Sequence, residues 1–169
     1  MVSKLPDLNL QEQLNYLIRY PHGCIEQITS AAFPQLFLSN LTTLSAEQEE
    51  EIQSNVTSAL NRIRQYQRSD GGLSYWPSSR GNLTEWGTNY AGHFMIEASE
   101  KGYDLPHGVL EQWLKFQQNA ATNWNRNRYS EWGKYGGDLT QAYRLYTLAL
   151  SDNPDIGAMN RLKNDVNLS

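Results

Sequence analysis

Thr88-Asn89-Tyr90-Ala91 and Thr140-Gln141-Ala142-Tyr143 each open a helix–turn–helix unit, the second following the first at an offset of 52 residues. The turns correspond too, with Leu105-Pro106 in the first unit answering to Asn153-Pro154 in the second. A repeat of this size is one supersecondary unit that cannot bury its apolar face alone and needs neighbours of the same kind. The spacing therefore predicts a stacked or closed ring of α-hairpins.

The rest of the chain reads the same way. Leu10, Leu14, Leu17 and Ile18 lie at helical spacing in segment 9–19. A second helix is expected from near Gly23 through Ile28, Ala31 and Ala32, with Pro34 bending or dividing it before Leu38. Ser45 with Gln48 makes a capping box, and the acidic run Glu47 to Glu51 suits a solvated helix start. From there Ile52, Val56, Ala59, Leu60, Ile63 and Tyr66 form an apolar stripe that Arg68-Ser69-Asp70-Gly71-Gly72 breaks. An aromatic loop, Leu73-Ser74-Tyr75-Trp76-Pro77, leads to a helix expected from about Thr88 to Lys101, with Gly102 suited to its C′ position. Pro106 suits the first turn of the next helix, which carries Val109, Leu110, Trp113 and Leu114. A second loop, Asn119 to Gly137, is rich in Asn, Arg and aromatics, and two more helices are expected at about 138–150 and 155–163. Strand signals are nearly absent. The fold class is all-α, in a single domain of 169 residues whose first eight form a flexible terminus.

Composition narrows the function. Five Trp and ten Tyr mark a folded protein. Fourteen basic against 18 acidic residues give a net charge of −4, which argues against a nucleic-acid footprint and against attraction to a membrane surface. No apolar run approaches a bilayer span. The N-terminal MVSKLPDLNL has one Lys and no apolar core, so it does not read as a signal peptide. With one cysteine, no intrachain disulfide can form, and the scattered His offer no metal-ligand set. No cofactor is expected.

That single cysteine lies in the stretch that carries chemistry, Tyr20-Pro21-His22-Gly23-Cys24-Ile25-Glu26-Gln27. Residues three apart in a first helical turn face each other, and Cys24 and Gln27 have that spacing. Attack of the Cys24 thiolate on the Gln27 side-chain amide would expel ammonia and leave a thioester. The ring is roughly fifteen atoms, formed only if the backbone is held in the right turn. Gly23 admits an unusual backbone angle, Pro21 fixes the entry, and a helix N-terminus favours the thiolate. An outside amine or hydroxyl could then take the acyl group in a single-use transfer.

Gly23-Cys24-Ile25-Glu26-Gln27 resembles the GCxEQ thioester motif of the α-2-macroglobulin and complement C3 family, and Tyr20-Pro21-His22 resembles the YPxGCxEQ form of its bacterial members. Gln67 to Pro77 is similar to the family's QxxDGGFxxWP loop, Trp86-Gly87-Thr88-Asn89-Tyr90 to its W-x-T-x-Y helix start, and Gly102-Tyr103-Asp104-Leu105-Pro106 to its hairpin turn. The resemblance implies an α/α toroid of six hairpins, of which this chain has room for three or four, as the N-terminal part of a thioester-containing domain. It also implies covalent capture of target proteases, or other amine-bearing proteins, by a module of a larger inhibitor that is periplasmic or extracellular. On this reading Cys24 and Gln27 form the bond, with Tyr20, Gly23 and Glu26 supporting. Tyr20 could exclude water or simply pack, and Glu26 could orient the site or solvate the helix start. Some complement-like members use a downstream His to favour hydroxyl targets. The corresponding position falls near Leu139 or Thr140, so direct aminolysis and amine targets are expected.

Two other classes of function stand beside this one. An enzyme on an α/α toroid, acting on glycans or isoprenoids, would need clustered acids that the chain lacks. A scaffold in which Cys24 and Gln27 never react has the same sequence. The Tyr75-Trp76 and Trp124 to Trp132 clusters could bind sugar, but bracing of the hairpins accounts for them equally. His93 is expected to be a satisfied core or groove residue.

Overall fold

A computed structural model describes residues 14–78, 81–125 and 137–165. The expected flexible terminus and most of the second aromatic loop lie outside the described residues. Within them the protein is all-α, with β-type pairing limited to the isolated bridges Gln67–Leu73 and Ser74–Leu83.

Helix α1 spans Ile25–Ala32 and ends ahead of Pro34, where the chain tightens into a 3-10 turn at Phe33–Phe37 before the short α2, Leu38–Leu41. Helix α3, Ala46–Tyr66, starts at the expected capping box, with the Ser45 N–H donating to Gln48 Oε1 at 2.9 Å and the Gln48 N–H to Ser45 Oγ at 3.3 Å. Its whole apolar stripe is buried. Two starts differ from expectation. Helix α4 runs Glu85–Glu100, three residues earlier than Thr88, because the Thr84 hydroxyl accepts from the Gly87 N–H at 3.1 Å and serves as N-cap. Helix α5, Val109–Thr122, begins later than Pro106, which instead accepts the Val109 N–H in the preceding turn, leaving Gly108 as N-cap. Helices α6, Asp138–Leu150, and α7, Ile156–Lys163, complete the set.

The repeat is visible in hydrogen bonds. At the end of α4 the Tyr103 N–H reaches the Ala98 carbonyl and the Gly102 N–H reaches Ser99, the paired pattern of a Schellman stop. Helix α6 ends identically, with Asn153 bonding Leu148 and Asp152 bonding Ala149. The positive φ falls on Gly102 (86°) in one and on Asp152 (59°) in the other. Helices α1, α4 and α6 pack side by side, with α3 against α1, α5 against both α4 and α6, and α7 against α6.

Two apolar clusters result. The larger joins Ile25, Ile28, Val56, Leu60, Ile63, Phe94, Met95 and Trp113, and the smaller joins Ala121, Leu145, Leu148 and Ala158. Trp113 is fully buried, donates its indole N–H to the Thr88 carbonyl at 2.8 Å, and lies close against Gly92. Between α4 and α6 the contact is polar and aromatic instead. Arg144, 2% exposed, reaches Gln117, Gln141 and Glu85, while Asn89 and Gln117 bond each other and Asn89 reaches the Thr140 carbonyl. Burial pulls the Arg144 guanidinium below its ordinary pKa, and Glu85 opposes that.

Candidate functional site

The sequence Gly23-Cys24-Ile25-Glu26-Gln27 folds as the entry to α1. Cys24 is the N-cap, extended at φ −72° and ψ 171°, and Gln27 is the third helical residue. That register places the Gln27 side chain back over the Cys24 amide, and the Cys24 N–H donates to Gln27 Oε1 at 3.0 Å. Glu or Gln at this position makes the same bond at the start of many helices. Here the cap residue carries a thiol, so a nucleophile and an amide carbonyl meet in one turn.

Gly23 closes the arrangement from below. Its φ is +103°, and a Cβ there would stand 2.1 Å from Gln27 Oε1 and 2.9 Å from the carboxamide carbon. Only glycine leaves room for the Gln27 head group at that place. Cys24 itself is free and 2% exposed, whereas Gln27 faces solvent.

Two contacts from distant sequence fix the turn. The Tyr66 hydroxyl, at the end of α3, donates to the Gly23 carbonyl at 2.5 Å. The Tyr75 carbonyl, in the aromatic loop, accepts the Ile25 N–H at 3.1 Å, satisfying a first-turn donor that would otherwise be orphaned. The loop is in turn pinned by Ser74, whose hydroxyl lies 3.0 Å from the Tyr66 carbonyl, and by the Leu73 N–H, which donates to Thr88 Oγ1 at 3.0 Å. Gly87, in the W-x-T-x-Y start of α4, admits Ile25: a Cβ there would meet Ile25 Cγ2 at 2.8 Å. The three motifs along the chain therefore converge on one turn.

Electrostatics around the turn are modest. Burial raises the Tyr66 phenol pKa, Arg62 opposes that, and the nearby Cys24 adds a smaller upward push. The Arg62 guanidinium is raised, first by hydrogen bonding with Tyr20, and in part by Tyr66, against its own desolvation. An open cleft of about 380 Å³ lies over the site, lined by Arg19, Tyr20, His22, Cys24, Glu26, Gln27, Ser30, Ala31 and Tyr75.

Every residue singled out in the sequence for this site lies at the turn or on the cleft. Tyr20 lines the cleft and is 54% exposed, and Glu26 is half-buried in the first turn of α1. His22 lines the same cleft, its Nδ1 3.1 Å from the Tyr20 carbonyl oxygen. His93 is elsewhere, against Phe33 and Tyr143, with Nδ1 3.0 Å from the Tyr143 hydroxyl and Nε2 3.5 Å from Glu97. Burial lowers its pKa and Glu97 opposes that; burial also pushes Tyr143 well above the ordinary phenol range. Leu139 is exposed at the start of α6 and Thr140 is buried. Tyr75 and Trp76 meet edge to face at 5.6 Å, and the Tyr75 backbone carbonyl braces the turn through the Ile25 N–H. Sequence reasoning missed Tyr66, Arg62 and the Tyr75 carbonyl as site groups. Their only signal was the apolar stripe and the loop motif.

Among the described residues no cluster of His, Cys, Asp and Glu could hold a metal ion, and no helix is long and apolar enough to cross a membrane. Comparison with known proteins places the turn in context. Alpha-2-macroglobulin of Escherichia coli is 28% identical over 171 residues, covering 96% of this chain and 10% of that protein. The crystal structure of Salmonella alpha-2-macroglobulin reacted with methylamine superimposes with a TM-score of 0.75 at 29% identity, over 94% of this chain and 11% of that one. That of trypsin-activated alpha-2-macroglobulin from Escherichia coli gives 0.71 at 25% identity, over 85% and 10%. This chain thus spans about a tenth of the length of such relatives. Residues 1–131 match the A-macroglobulin TED domain. The chain belongs to that family, in the form found in bacterial alpha-2-macroglobulins.

Proposed function

We propose that Cys24 and Gln27 form an internal thioester and that the chain serves as the covalent-capture module of a bacterial protease inhibitor. The observation that carries this is the Cys24 N–H held on Gln27 Oε1 with Gly23 packed under the carboxamide. Such a donor both orients the carbonyl and stabilises the negative charge that develops on its oxygen during attack. In the forming step the Cys24 thiolate bonds to the Gln27 carboxamide carbon, the carbon–nitrogen bond breaks, and the departing nitrogen leaves as ammonia with the thiol proton. In the capture step an amine nitrogen bonds to the same carbon, the carbon–sulfur bond breaks, and the thiolate takes the proton that the amine loses. Each molecule acts once.

The exposed Gln27 beside the shielded Cys24 supports access by a partner's lysine amine. The residues Leu139 and Thr140, where a His would favour hydroxyl targets, support direct aminolysis. The relative reacted with methylamine supports amine chemistry, and the trypsin-activated relative supports a protease as trigger. On this reading residues 1–169 form one domain, the N-terminal part of a thioester-containing toroid, working with other modules of a periplasmic or extracellular parent. Tyr20 and Glu26, on the cleft, assist by limiting water and by orienting the turn.

The test is the intact mass of freshly purified, non-reduced protein. The expected result is a deficit of about 17 Da, the mass of one ammonia, which methylamine converts, by adding its own mass of about 31 Da, to about 14 Da above the unmodified chain as a single thiol is released. A full mass with freely alkylated Cys24, here and in the complete parent, refutes covalent capture and leaves a scaffold.

A further inference from the structure

We infer that Tyr66 is a positioning residue that acts on the Gln27 carbonyl through the Gly23–Cys24 peptide. The inference rests on the acyl-transfer reading above and adds a group to its machinery. The Tyr66 hydroxyl donates to the Gly23 carbonyl oxygen, and the nitrogen of that same peptide unit is the Cys24 N–H that donates to Gln27 Oε1. A peptide unit that accepts at its oxygen becomes a stronger donor at its nitrogen, because both bonds polarise the same delocalised amide. The chain phenol, peptide, acyl oxygen is therefore cooperative, and its last bond ends on the group that reacts.

Three further features fit this role. The Tyr66 residue is fully buried in the main core, so the ring is held and the hydroxyl has one direction to point. The Arg62 guanidinium, close enough to oppose the rise in the Tyr66 phenol pKa, makes its O–H a better donor still. Residues 66 and 24 are far apart in sequence, and α3 runs uninterrupted for 21 residues to deliver the phenol at its last position. The Tyr66 hydroxyl bonds the Gly23 carbonyl and not the Gln27 amide, so its effect on that amide passes through the peptide, beside a weak direct coupling to the Cys24 thiol.

The experiment compares the wild-type chain, Tyr66→Phe, and site-specific replacement of Tyr66 by meta-fluorotyrosine, whose hydroxyl is the stronger donor. Two readouts are taken on each, with melting temperature as the fold control. The first is the Cys24 amide proton shift, which reports the strength of its bond to Gln27 whether or not a thioester has formed. It should move upfield in Tyr66→Phe and downfield in the fluorinated protein. The second is the rate at which methylamine releases the Cys24 thiol from molecules that carry the mass deficit. That rate should fall about three- to tenfold in Tyr66→Phe, the scale of one lost hydrogen bond, and rise in the fluorinated protein. Unchanged amide shifts and rates in a folded Tyr66→Phe overturn the inference. Should that variant fail to fold, an unchanged fluorinated protein overturns it. A wild-type protein without a mass deficit sinks the acyl-transfer reading instead, and the amide shift still decides whether the relay exists.

Discussion

Gly23 answers to two separate demands, and one other glycine answers to only one of them. Its φ of +103° excludes most side chains, and the Gln27 head group occupies the space where a Cβ would go. Gly102 has φ +86° but nothing within 4 Å of the corresponding position. Gly102→Ala should therefore cost only the backbone term, about 1–2 kcal/mol of stability by urea titration, and leave any thioester intact. Gly23→Ala should cost a similar amount of stability and, in addition, push the carboxamide off the Cys24 N–H. A displacement near 1 Å slows a well-oriented reaction on the order of 100-fold. The mass deficit should vanish from Gly23→Ala and persist in Gly102→Ala; loss from both, or from neither, refutes the steric account. Gly23 was legible in sequence because the motif is a short continuous stretch, so its geometry is local. Tyr66 was legible only as the end of an apolar stripe, because its hydroxyl meets Gly23 across 43 residues of chain.

At the scale of elements, the pattern of the chain predicted the longer helices but not the 3-10 turn at Phe33–Phe37 or the short α2, while capping chemistry decided where the helices begin. The capping box at Ser45 was explicit and the start of α3 followed from it. The start of α4 moved because Thr84, outside the apolar pattern, takes the cap, and the start of α5 moved because the turn after Pro106 uses the Val109 N–H. The two Schellman stops show the repeat more sharply than the sequence does, since they share hydrogen bonds but not residues. Asp152 holds at φ +59° the place that Gly102 fills in the first unit. Relief of the left-handed cost outweighs the added freedom of glycine in the unfolded chain, so Asp152→Gly should stabilise by about 0.5 kcal/mol. A urea midpoint unchanged or lowered in Asp152→Gly would show that the aspartate side chain compensates locally.

At the scale of the molecule, the hairpin α6–α7 is joined to the rest differently from the others. The cluster around Ile28, Leu60 and Phe94 is continuous through α1, α3, α4 and α5, whereas the one containing Leu145, Leu148 and Ala158 is small and meets it only through partly buried side chains, Leu114 packing on both and Leu150 on the larger. What bridges α4 and α6 is the network centred on Arg144, an arginine that hydropathy alone would assign to the surface, together with the rings of Trp86 and His93 against Tyr143 and Tyr146. That is why the sequence predicted neighbouring hairpins but not the nature of the bond between them. Loss of Arg144 would strand the buried acceptors Gln117 Oε1 and Gln141 Oε1, at about 1–3 kcal/mol each, whereas Glu85 is about one-third exposed at 34% and would be re-solvated. Arg144→Met should thus cost about 3 kcal/mol and Glu85→Gln less than about 1 kcal/mol. Because the loss falls on one seam, it should appear as local opening rather than uniform weakening. Amide hydrogen exchange in Arg144→Met should speed along α6 and α7 while the amides of α1 and α3, including Ile28 and Val56, keep their protection. If protection instead falls equally everywhere, the two clusters form a single cooperative core and the seam has no independent existence. If it falls at α6 and α7 alone, the Cys24–Gln27 turn sits in the more stable part of the chain, held by α3 and α4, and the thioester proposed there should survive the opening of the last hairpin.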